Sequence, residues 1–183
     1  LSADRTGGEM IKLLSACDPA PAVAVMAQTG VLGHVLPGAD ATLLAPLVHL
    51  EGLLDVAPDP MTRLAALGGE EVGKRLRLSR SDQKRLESIR AQSVSGLGPK
   101  AVGHVAGEQA GLGAILLRAV MAYNPLESFA VTAVNEGATS VFPIKASDLP
   151  HLQGKALGDA LAARKADWLA SDLTKTKSQL LGT

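Results

Sequence analysis

The stretch Asp59-Pro60-Met61-Thr62-Arg63-Leu64-Ala65-Ala66-Leu67-Gly68-Gly69 carries signals for both ends of a short helix. Aspartate is a good N-cap residue because its carboxylate accepts hydrogen bonds from the first amides of a helix, and proline suits the first helical position. The glycine pair after Leu67 suits the left-handed geometry that often ends a helix. The pattern predicts a helix that begins after Asp59 and ends before Gly68.

The same signals recur along the chain. Asp18-Pro19 and Asn124-Pro125 repeat the pair of an N-cap residue and a proline, and Gly30 and Gly137 follow further helical stretches. No long run alternates apolar and polar residues with the period of a strand, and the best short candidate, Thr139–Ile144, is cut by a proline. We therefore predict an all-α fold of roughly eight helices of ordinary length.

Length and composition limit the classes of protein that are possible. A chain of 183 residues, 46% hydrophobic and 20% charged with zero net charge, can bury a core as one domain or two small helical ones. Only four aromatic residues occur, which argues against a surface that stacks on nucleic-acid bases. The single cysteine, Cys17, excludes an internal disulfide and a cysteine-based zinc cluster.

The longest uncharged run extends from Pro19 to Ala39 and has the length of a membrane span. Because prolines and glycines interrupt it, we interpret it as two core helices joined by a turn. No basic segment followed by an apolar stretch indicates a signal peptide. We expect a soluble, cytoplasmic protein with no membrane partner. Since the chain begins Leu1-Ser2 rather than with methionine, we also expect a processed or truncated piece of something longer.

Charge is unevenly distributed along the chain. Residues 1–70 hold three Lys or Arg against eight Asp or Glu, whereas residues 71–100 hold eight Lys or Arg against three acidic residues. A local basic patch attracts phosphate backbones even when the domain is neutral overall. The alternative is a solvated helix face without a binding role.

No catalytic constellation is visible in the sequence. The histidines His34, His49, His104 and His151 are scattered, and none neighbours an aspartate. Zinc-peptidase, CxxC, phosphate-loop and nucleophile-elbow motifs do not occur. We predict no catalytic residue and no metal ligand in this chain.

Two sets of glycines recur every four residues. Gly103, Gly107 and Gly111 are expected to share one helix face that packs closely against a neighbour. Gly154 and Gly158 begin the last long helix, where close packing and approach to a phosphate are both open.

The segment Leu1–Leu14 contains Ser2, the pair Asp4-Arg5, then Glu9 and a helix end rich in leucine and lysine. This order resembles the neck motif of bacterial tRNA nucleotidyltransferases, the CCA-adding enzymes of the class II nucleotidyltransferase/poly(A) polymerase family. Gly7-Gly8 are expected to interrupt the neck helix, at about 1 kcal/mol for each glycine.

Two later segments are similar to the same family. Leu76–Asp82 resembles a pattern of its body domain, with Ser79 as the expected N-cap of a helix and Asp82 three residues on. Phe142–Leu149, Gly154–Gly158 and Trp168 together resemble its tail signature. The resemblance spans nearly the whole chain and implies an elongated, multi-helix, all-α arrangement of neck (1–36), body (37–140) and tail (141–183).

The resemblance also implies a function. The parent protein would add CCA to tRNA 3′ ends from CTP and ATP in a catalytic head that holds Mg²⁺. That head would lie outside this chain, which would be inactive alone and would bind tRNA. The neck residues expected near the nucleotide pocket are Ser2, Asp4, Arg5 and Glu9. The residues expected to meet the tRNA backbone are Arg75, Arg77, Arg80, Lys84 and Arg85 in the body, with Lys145, Lys155, Arg164 and Lys165 as weaker candidates in the tail. Such contacts read backbone shape rather than base sequence.

Two alternatives stay open at the level of sequence. One is a poly(A) polymerase of the same family, which extends RNA without a template. The other is a helical protein-interaction scaffold without RNA binding, for which the glycine-spaced face or the acidic first third would serve a partner. The oligomeric state is also left open.

Overall fold

The computed structural model describes residues 3–182, and this part of the chain is helical. The helices are α1 (Ala3–Leu14), α2 (Ala20–Gln28), α3 (Val31–Val35), α4 (Leu44–Leu53), α5 (Pro60–Leu67), α6 (Val72–Arg75), α7 (Arg80–Ser93), α8 (Pro99–Ala106), α9 (Glu108–Ala122), α10 (Ser128–Thr139), α11 (Gly154–Ala170) and α12 (Lys177–Leu181), with a 3₁₀ turn at Ala146–Asp148. Within residues 3–182 no strand forms; one isolated bridge pairs Ala39 with Gly68. The all-α prediction is confirmed, but the apolar stretches break into more and shorter helices than the sequence indicated.

The helix predicted from Asp59 to Gly68 is the centre of the fold. Asp59 accepts hydrogen bonds from the amides of Met61 (3.3 Å) and Thr62 (3.0 Å), and Gly68 ends α5 with φ of 72°. Every residue from Met61 to Leu67 is buried. Helices α1, α4, α7 and α9 all pack against α5. Because its whole surface is covered, α5 fixes where the surrounding helices lie.

Two of the predicted helix starts are displaced. Asn124-Pro125 does not begin a helix: Tyr123 ends α9 in the left-handed conformation (φ 52°), and α10 begins only at Ser128. The link between them places Leu126 against the hydrophobic core, so packing overrides the local cap signal. Asp18 does accept a hydrogen bond from the amide of Ala20 (3.0 Å), but α2 begins one residue later than a cap at Asp18 predicts.

The buried apolar side chains form three clusters. The largest runs from Met10 in α1 to Val120 in α9, and a second joins α8, α9 and α10 around Val102 and Val134. The third lies in residues 142–181, which we call the C-terminal segment, and comprises Ile144, Leu149, Trp168 and Leu180. The division into neck, body and tail at residues 36 and 140 stays a prediction.

Glycines let α8 and α10 approach backbone to backbone. A Cβ at Gly103 would collide with the carbonyl of Val134, and one at Gly137 would collide with the carbonyl of Lys100. The predicted close packing is therefore confirmed for Gly103, whereas Gly107 ends α8 with φ of 78° and does not share a helix with Gly111. At Gly158 a Cβ would meet no described atom within 4 Å, so close packing is wrong there.

The C-terminal segment contacts α8 at two points. The rings of His104 and Trp168 meet edge to face with centroids 5.0 Å apart. Asp172 Oδ1 accepts a hydrogen bond from the amide of Ala101 at 2.8 Å, near the start of α8. Across residues 3–182, none of the helices has both the length and the apolar character needed to cross a membrane.

Candidate nucleic-acid interface

Residues 71–78 form a short connection between α5 and α7, which we call the basic turn. Its backbone conformation exposes its cations. Helix α6 is a single turn between two residues in the left-handed region, Glu71 (φ 49°) and Arg77 (φ 50°). The apolar residues Val72, Leu76 and Leu78 are buried. The cations between them therefore point outward, and all three are exposed: Lys74, Arg75 and Arg77. Non-glycine residues with positive φ are uncommon, and they concentrate at functional sites.

These cations line an open groove of about 990 Å³. We call it the basic groove. One wall is formed by Thr6 of α1 with His34 and Val35 of α3. The other wall is formed by residues of the basic turn and of α7: Glu71, Gly73, Lys74, Arg75, Arg77, Leu78 and Gln83. Gln83 supports the turn because its Nε2 donates to the carbonyl of Leu78 at 2.9 Å.

Gly7 brings the two walls together. A Cβ at Gly7 would collide with the carbonyl oxygen of Leu76, whereas at Gly8 no described atom lies within 4 Å of the corresponding position. The expectation that Gly7-Gly8 interrupt the neck helix is wrong, because α1 runs unbroken from Ala3 to Leu14. Gly7 instead allows α1 to lie directly on the end of α6.

Helix α7 begins as its sequence predicts. The amide of Asp82 donates to Ser79 Oγ at 3.1 Å, and Ser79 Oγ lies 2.7 Å from Asp82 Oδ2. Arg80 and Lys84 lie one turn apart and are exposed, while Leu86 and Ile89 are buried. Of the residues of α7, Gln83 lines the basic groove, whereas Arg80 and Lys84 do not.

Other arginines of the basic stretch and its neighbour α9 face inward. Arg85 forms an ion pair with Asp59 at 2.6 Å, and its side chain is 28% exposed. Arg90 donates to the carbonyl of Gly68 at 2.8 Å. Arg118 donates to the carbonyls of Gln92 (2.6 Å), Ser93 (3.1 Å) and Leu97 (2.6 Å) at the end of α7. Burial lowers the pKa of Arg90 and of Arg118, but both start far above neutrality. Arg85 thus pairs with a carboxylate, whereas Arg90 and Arg118 satisfy carbonyls at or just beyond helix ends. Charge counting along the sequence reveals neither role.

The predicted neck residues lie along the exposed side of α1. Asp4, Arg5 and Glu9 are exposed, and Ser2 lies outside the described residues. Arg5 and Glu9 also border an apolar groove of about 340 Å³ between α1, α2 and α3. The structure does not bring these residues into the basic groove, although Thr6 between them lines both grooves.

The predicted tail residues lie apart from the basic groove. Lys145, Lys155 and Lys165 are exposed, and Arg164 is partly buried with its Nη1 donating to the carbonyl of Ala160 at 3.1 Å. None of these four residues lines the basic groove.

The sequence did not reveal the most buried polar pair. Arg63, within the apolar helix α5, forms an ion pair with Glu51 of α4, and both side chains are almost completely buried. Burial raises the pKa of the Glu51 carboxyl, and the hydrogen bond from Arg63 opposes that shift. A single arginine within an otherwise apolar helix was the only signal in the sequence.

Among residues 3–182 no group of three or more His, Cys, Asp or Glu side chains could hold a metal ion.

Comparison with known proteins bears on the first wall of the groove. Residues 1–43 match a family model described as a probable RNA and SrmB-binding site of polymerase A. The N-terminal segment is thus similar to an RNA-binding segment of the polymerase A family. The matched residues include Thr6, His34 and Val35, which line the basic groove. No curated protein and no solved structure matched the chain.

Proposed function

We propose that this chain holds RNA for a nucleotidyltransferase of the poly(A) polymerase family, and that the basic groove is its main RNA contact. One observation carries the proposal. The segment that matches an RNA-binding family model forms one wall of the groove, and Lys74, Arg75 and Arg77 form part of the other.

Electrostatics supports this location. The groove concentrates exposed cations whose guanidinium and ammonium groups can contact phosphate oxygens, and Arg75 and Arg77 can do so with two parallel hydrogen bonds each. Arg80 and Lys84, which are exposed on α7 outside the groove, are proposed as further contacts to the RNA backbone. We assign Arg85 a structural role, since its ion pair with Asp59 turns it toward α5.

We further propose that the RNA is tRNA and that the parent protein adds CCA from CTP and ATP in the cytoplasm. In this proposal a separate catalytic head holds Mg²⁺, the present chain is inactive alone, and Asp4, Arg5 and Glu9 lie toward the nucleotide pocket. The exposed lysines of α11 add weaker contacts to the tRNA backbone. The proposal is supported by the family resemblance of the neck, body and tail segments.

The test is a titration of the 183-residue chain with a labelled tRNA transcript, followed by fluorescence anisotropy at low and moderate salt. Each lost phosphate contact is expected to reduce the slope of log affinity against log salt by about 1. The Arg75→Ala/Arg77→Ala variant should therefore lose about 2 from this slope. No tRNA binding at low salt would overturn the proposal in favour of a protein scaffold.

A control variant removes the same number of positive charges from a surface outside the groove. Lys155→Ala/Lys165→Ala deletes two exposed cations of α11 that do not line the groove. We expect less than half the change in salt slope that the groove variant shows. Equal losses in the two variants would contradict the groove as the main contact.

A second titration addresses the choice between tRNA and poly(A). A tRNA is expected to bind at least tenfold more tightly than an oligoadenylate of equal charge at the same salt. Preference for the oligoadenylate would favour a poly(A) polymerase over a CCA-adding parent.

A further inference from the structure

The C-terminal segment has an apolar core of its own. Its buried residues are Ile144, Leu149, Trp168 and Leu180, and the apolar side chains packed around them belong to the same segment. Phe142 lies against Trp168 with ring centroids 5.4 Å apart. Among residues 3–182, no apolar cluster joins this segment to the rest of the chain. A unit with a separate core can move as one body when the contacts that hold it are broken.

A short link connects α10 to the C-terminal segment. Helix α10 ends at Thr139, and only Ser140 and Val141 lie between it and Phe142. Val141 is 81% exposed, so its side chain packs on little. A few loop residues of this kind are sufficient to absorb the backbone rotation of a hinge.

Helix α8 begins without a cap from its own sequence. Its N-cap residue, Gly98, has no side chain, and Pro99 has no amide hydrogen. The missing acceptor is the carboxylate of Asp172, 71 positions after Ala101 in the sequence, whose Oδ1 accepts from the Ala101 amide at 2.8 Å. Gly98 leaves room for it, because a Cβ at that position would collide with the Asp172 carboxyl group. The cap of α8 is therefore supplied by the C-terminal segment.

The turn that carries Asp172 has an uncommon backbone conformation. Asp172 and Leu173 are consecutive residues with positive φ, 53° and 63°. The amide of Leu173 donates to the carbonyl of Trp168 at 3.0 Å, and its side chain packs on the core of the segment. A residue as bulky as leucine rarely adopts this conformation, and such strain persists only where the surrounding structure imposes it. The segment thus holds the Asp172 carboxylate in place for α8.

We propose that the hydrogen bond between Asp172 and Ala101 is a latch that docks the C-terminal segment on α8, and that the segment leaves α8 as a folded unit by turning about residues 140–141. The edge-to-face contact between His104 and Trp168 forms only in the docked arrangement. The latch opens without a large penalty, because water satisfies the amides at a helix start equally well. Lys155 and Lys165 are exposed on α11, so undocking moves two positive charges relative to the rest of the chain.

Two variants of the 183-residue chain remove the latch in different ways. Asp172→Gly deletes the carboxylate and suits the positive φ. Gly98→Ala keeps the carboxylate but blocks its approach. The NMR shifts of the His104 ring protons report docking, since the adjacent Trp168 ring displaces them. We expect the undocked population to rise about fivefold in both variants, the usual effect of losing a helix cap.

Asp172→Asn and Gly158→Ala are the matched controls. Asparagine keeps a side-chain oxygen that caps a helix and tolerates positive φ, so this variant should stay docked. Gly158 lies on α11, and a Cβ there would meet no described atom within 4 Å, so alanine should leave docking unchanged. Hydrogen exchange separates undocking from unfolding. The amides of α11 should stay protected in all four variants, while those in the first turn of α8 exchange faster in the two opened ones.

Three results would overturn the proposal. Unchanged His104 signals in Asp172→Gly and Gly98→Ala would mean that other contacts hold the segment on α8. Loss of protection throughout α11 would mean that the segment unfolds rather than undocks. An Asp172→Asn variant as open as Asp172→Gly would mean that the hydrogen bond to Ala101 is not the latch. Because no measurement includes RNA, the outcome does not depend on whether the chain binds tRNA.

Discussion

Arg63 Nη2 lies 2.7 Å from Glu51 Oε2, and the two side chains are only 1% and 3% exposed. The same guanidinium donates to the carbonyls of Leu14 (2.8 Å), Ala16 and Cys17 (3.1 Å) just where α1 ends. One side chain of α5 thus joins the end of α1 to α4. Because Thr6 of the same helix lines the basic groove, we expect the pair to help fix the position of that wall.

Removing one member of this pair should be strongly destabilising. Arg63→Met leaves the Glu51 carboxylate buried without its partner, which typically costs about 3–5 kcal/mol. Arg63→Met/Glu51→Leu removes both charges and should recover part of that loss, because no unpaired charge stays buried. Recovery is incomplete because the carbonyls of Leu14, Ala16 and Cys17 still lose their donor. Urea denaturation followed by circular dichroism at pH 7 measures both. A double variant as unstable as the single one would show that the unpaired charge is not the cause.

Gly7 and Gly8 are neighbours in α1 with opposite expected responses to alanine. Gly7→Ala should destabilise the chain by about 1–3 kcal/mol, because the added methyl collides with the Leu76 carbonyl and forces the helices apart. Gly8→Ala should stabilise it by about 0.5–1 kcal/mol, because Gly8 is exposed within a helix.

Gly7→Ala should also weaken tRNA binding, since α1 and the basic turn face each other across the groove. Gly8→Ala should leave tRNA affinity unchanged. Thermal denaturation and the anisotropy titration check the two effects, and a stabilising Gly7→Ala would refute the close approach of α1 to Leu76.

Local signals in the sequence predicted local structure well. Asp59-Pro60 and Ser79 begin helices where the sequence places them, because an N-cap depends only on residues two or three positions away. The buried partners of Arg63 could not be predicted from such local signals. Its partners Glu51 and Leu14 lie 12 and 49 positions distant, and no local pattern records that separation.

The sequence predicted only part of the candidate site, for the same reason. The charge pattern located Arg75 and Arg77 but gave Arg85 the same weight, although Asp59 holds Arg85 inward. A count of charges does not distinguish an exposed cation from one that satisfies a carboxylate of the fold. The opposite wall, with Thr6 and His34, comes from a distant part of the chain and only the fold brings it near.

Arg77 has a left-handed backbone conformation, so its replacement by glycine is expected to change RNA binding and stability in opposite directions. Arg77→Gly removes the guanidinium and also relieves a positive φ, so the chain should gain up to about 1 kcal/mol of stability. It should nevertheless lose about 1 from the salt slope of tRNA binding. Weaker binding by a more stable protein cannot be attributed to unfolding.

Glu71→Gly is the control for Arg77→Gly. Glu71 has the same backbone conformation (φ 49°) at the other end of α6, but it carries a negative charge. This variant should be stabilised similarly, and its tRNA affinity should stay equal or rise. A loss of tRNA binding in both variants would show that the rigidity of the turn matters more than the charge of Arg77.

The C-terminal segment should lose stability in acid through Asp148. Its carboxylate accepts from Lys177 Nζ (2.6 Å) and from the amide of Lys145 (2.8 Å), and the bond from Lys177 is the main reason that the pKa of Asp148 lies below its ordinary value of 3.8. A carboxyl with a lowered pKa in the folded state stabilises the fold above its ordinary pKa. That stabilisation disappears as the pH falls through the lowered value.

Trp168, the single tryptophan, is 4% exposed in the core of this segment, so its fluorescence reports the segment's unfolding. Asp148→Asn should lower the melting temperature seen by Trp168 at pH 7, and the difference from the unmodified chain should shrink at pH 3. Asp159→Asn, at an exposed position of α11, is the matched control and should shift neither value. A difference of the same size at both pH values would mean that the ionised Asp148 does not stabilise the segment, because its contribution has to fall as the carboxyl gains a proton.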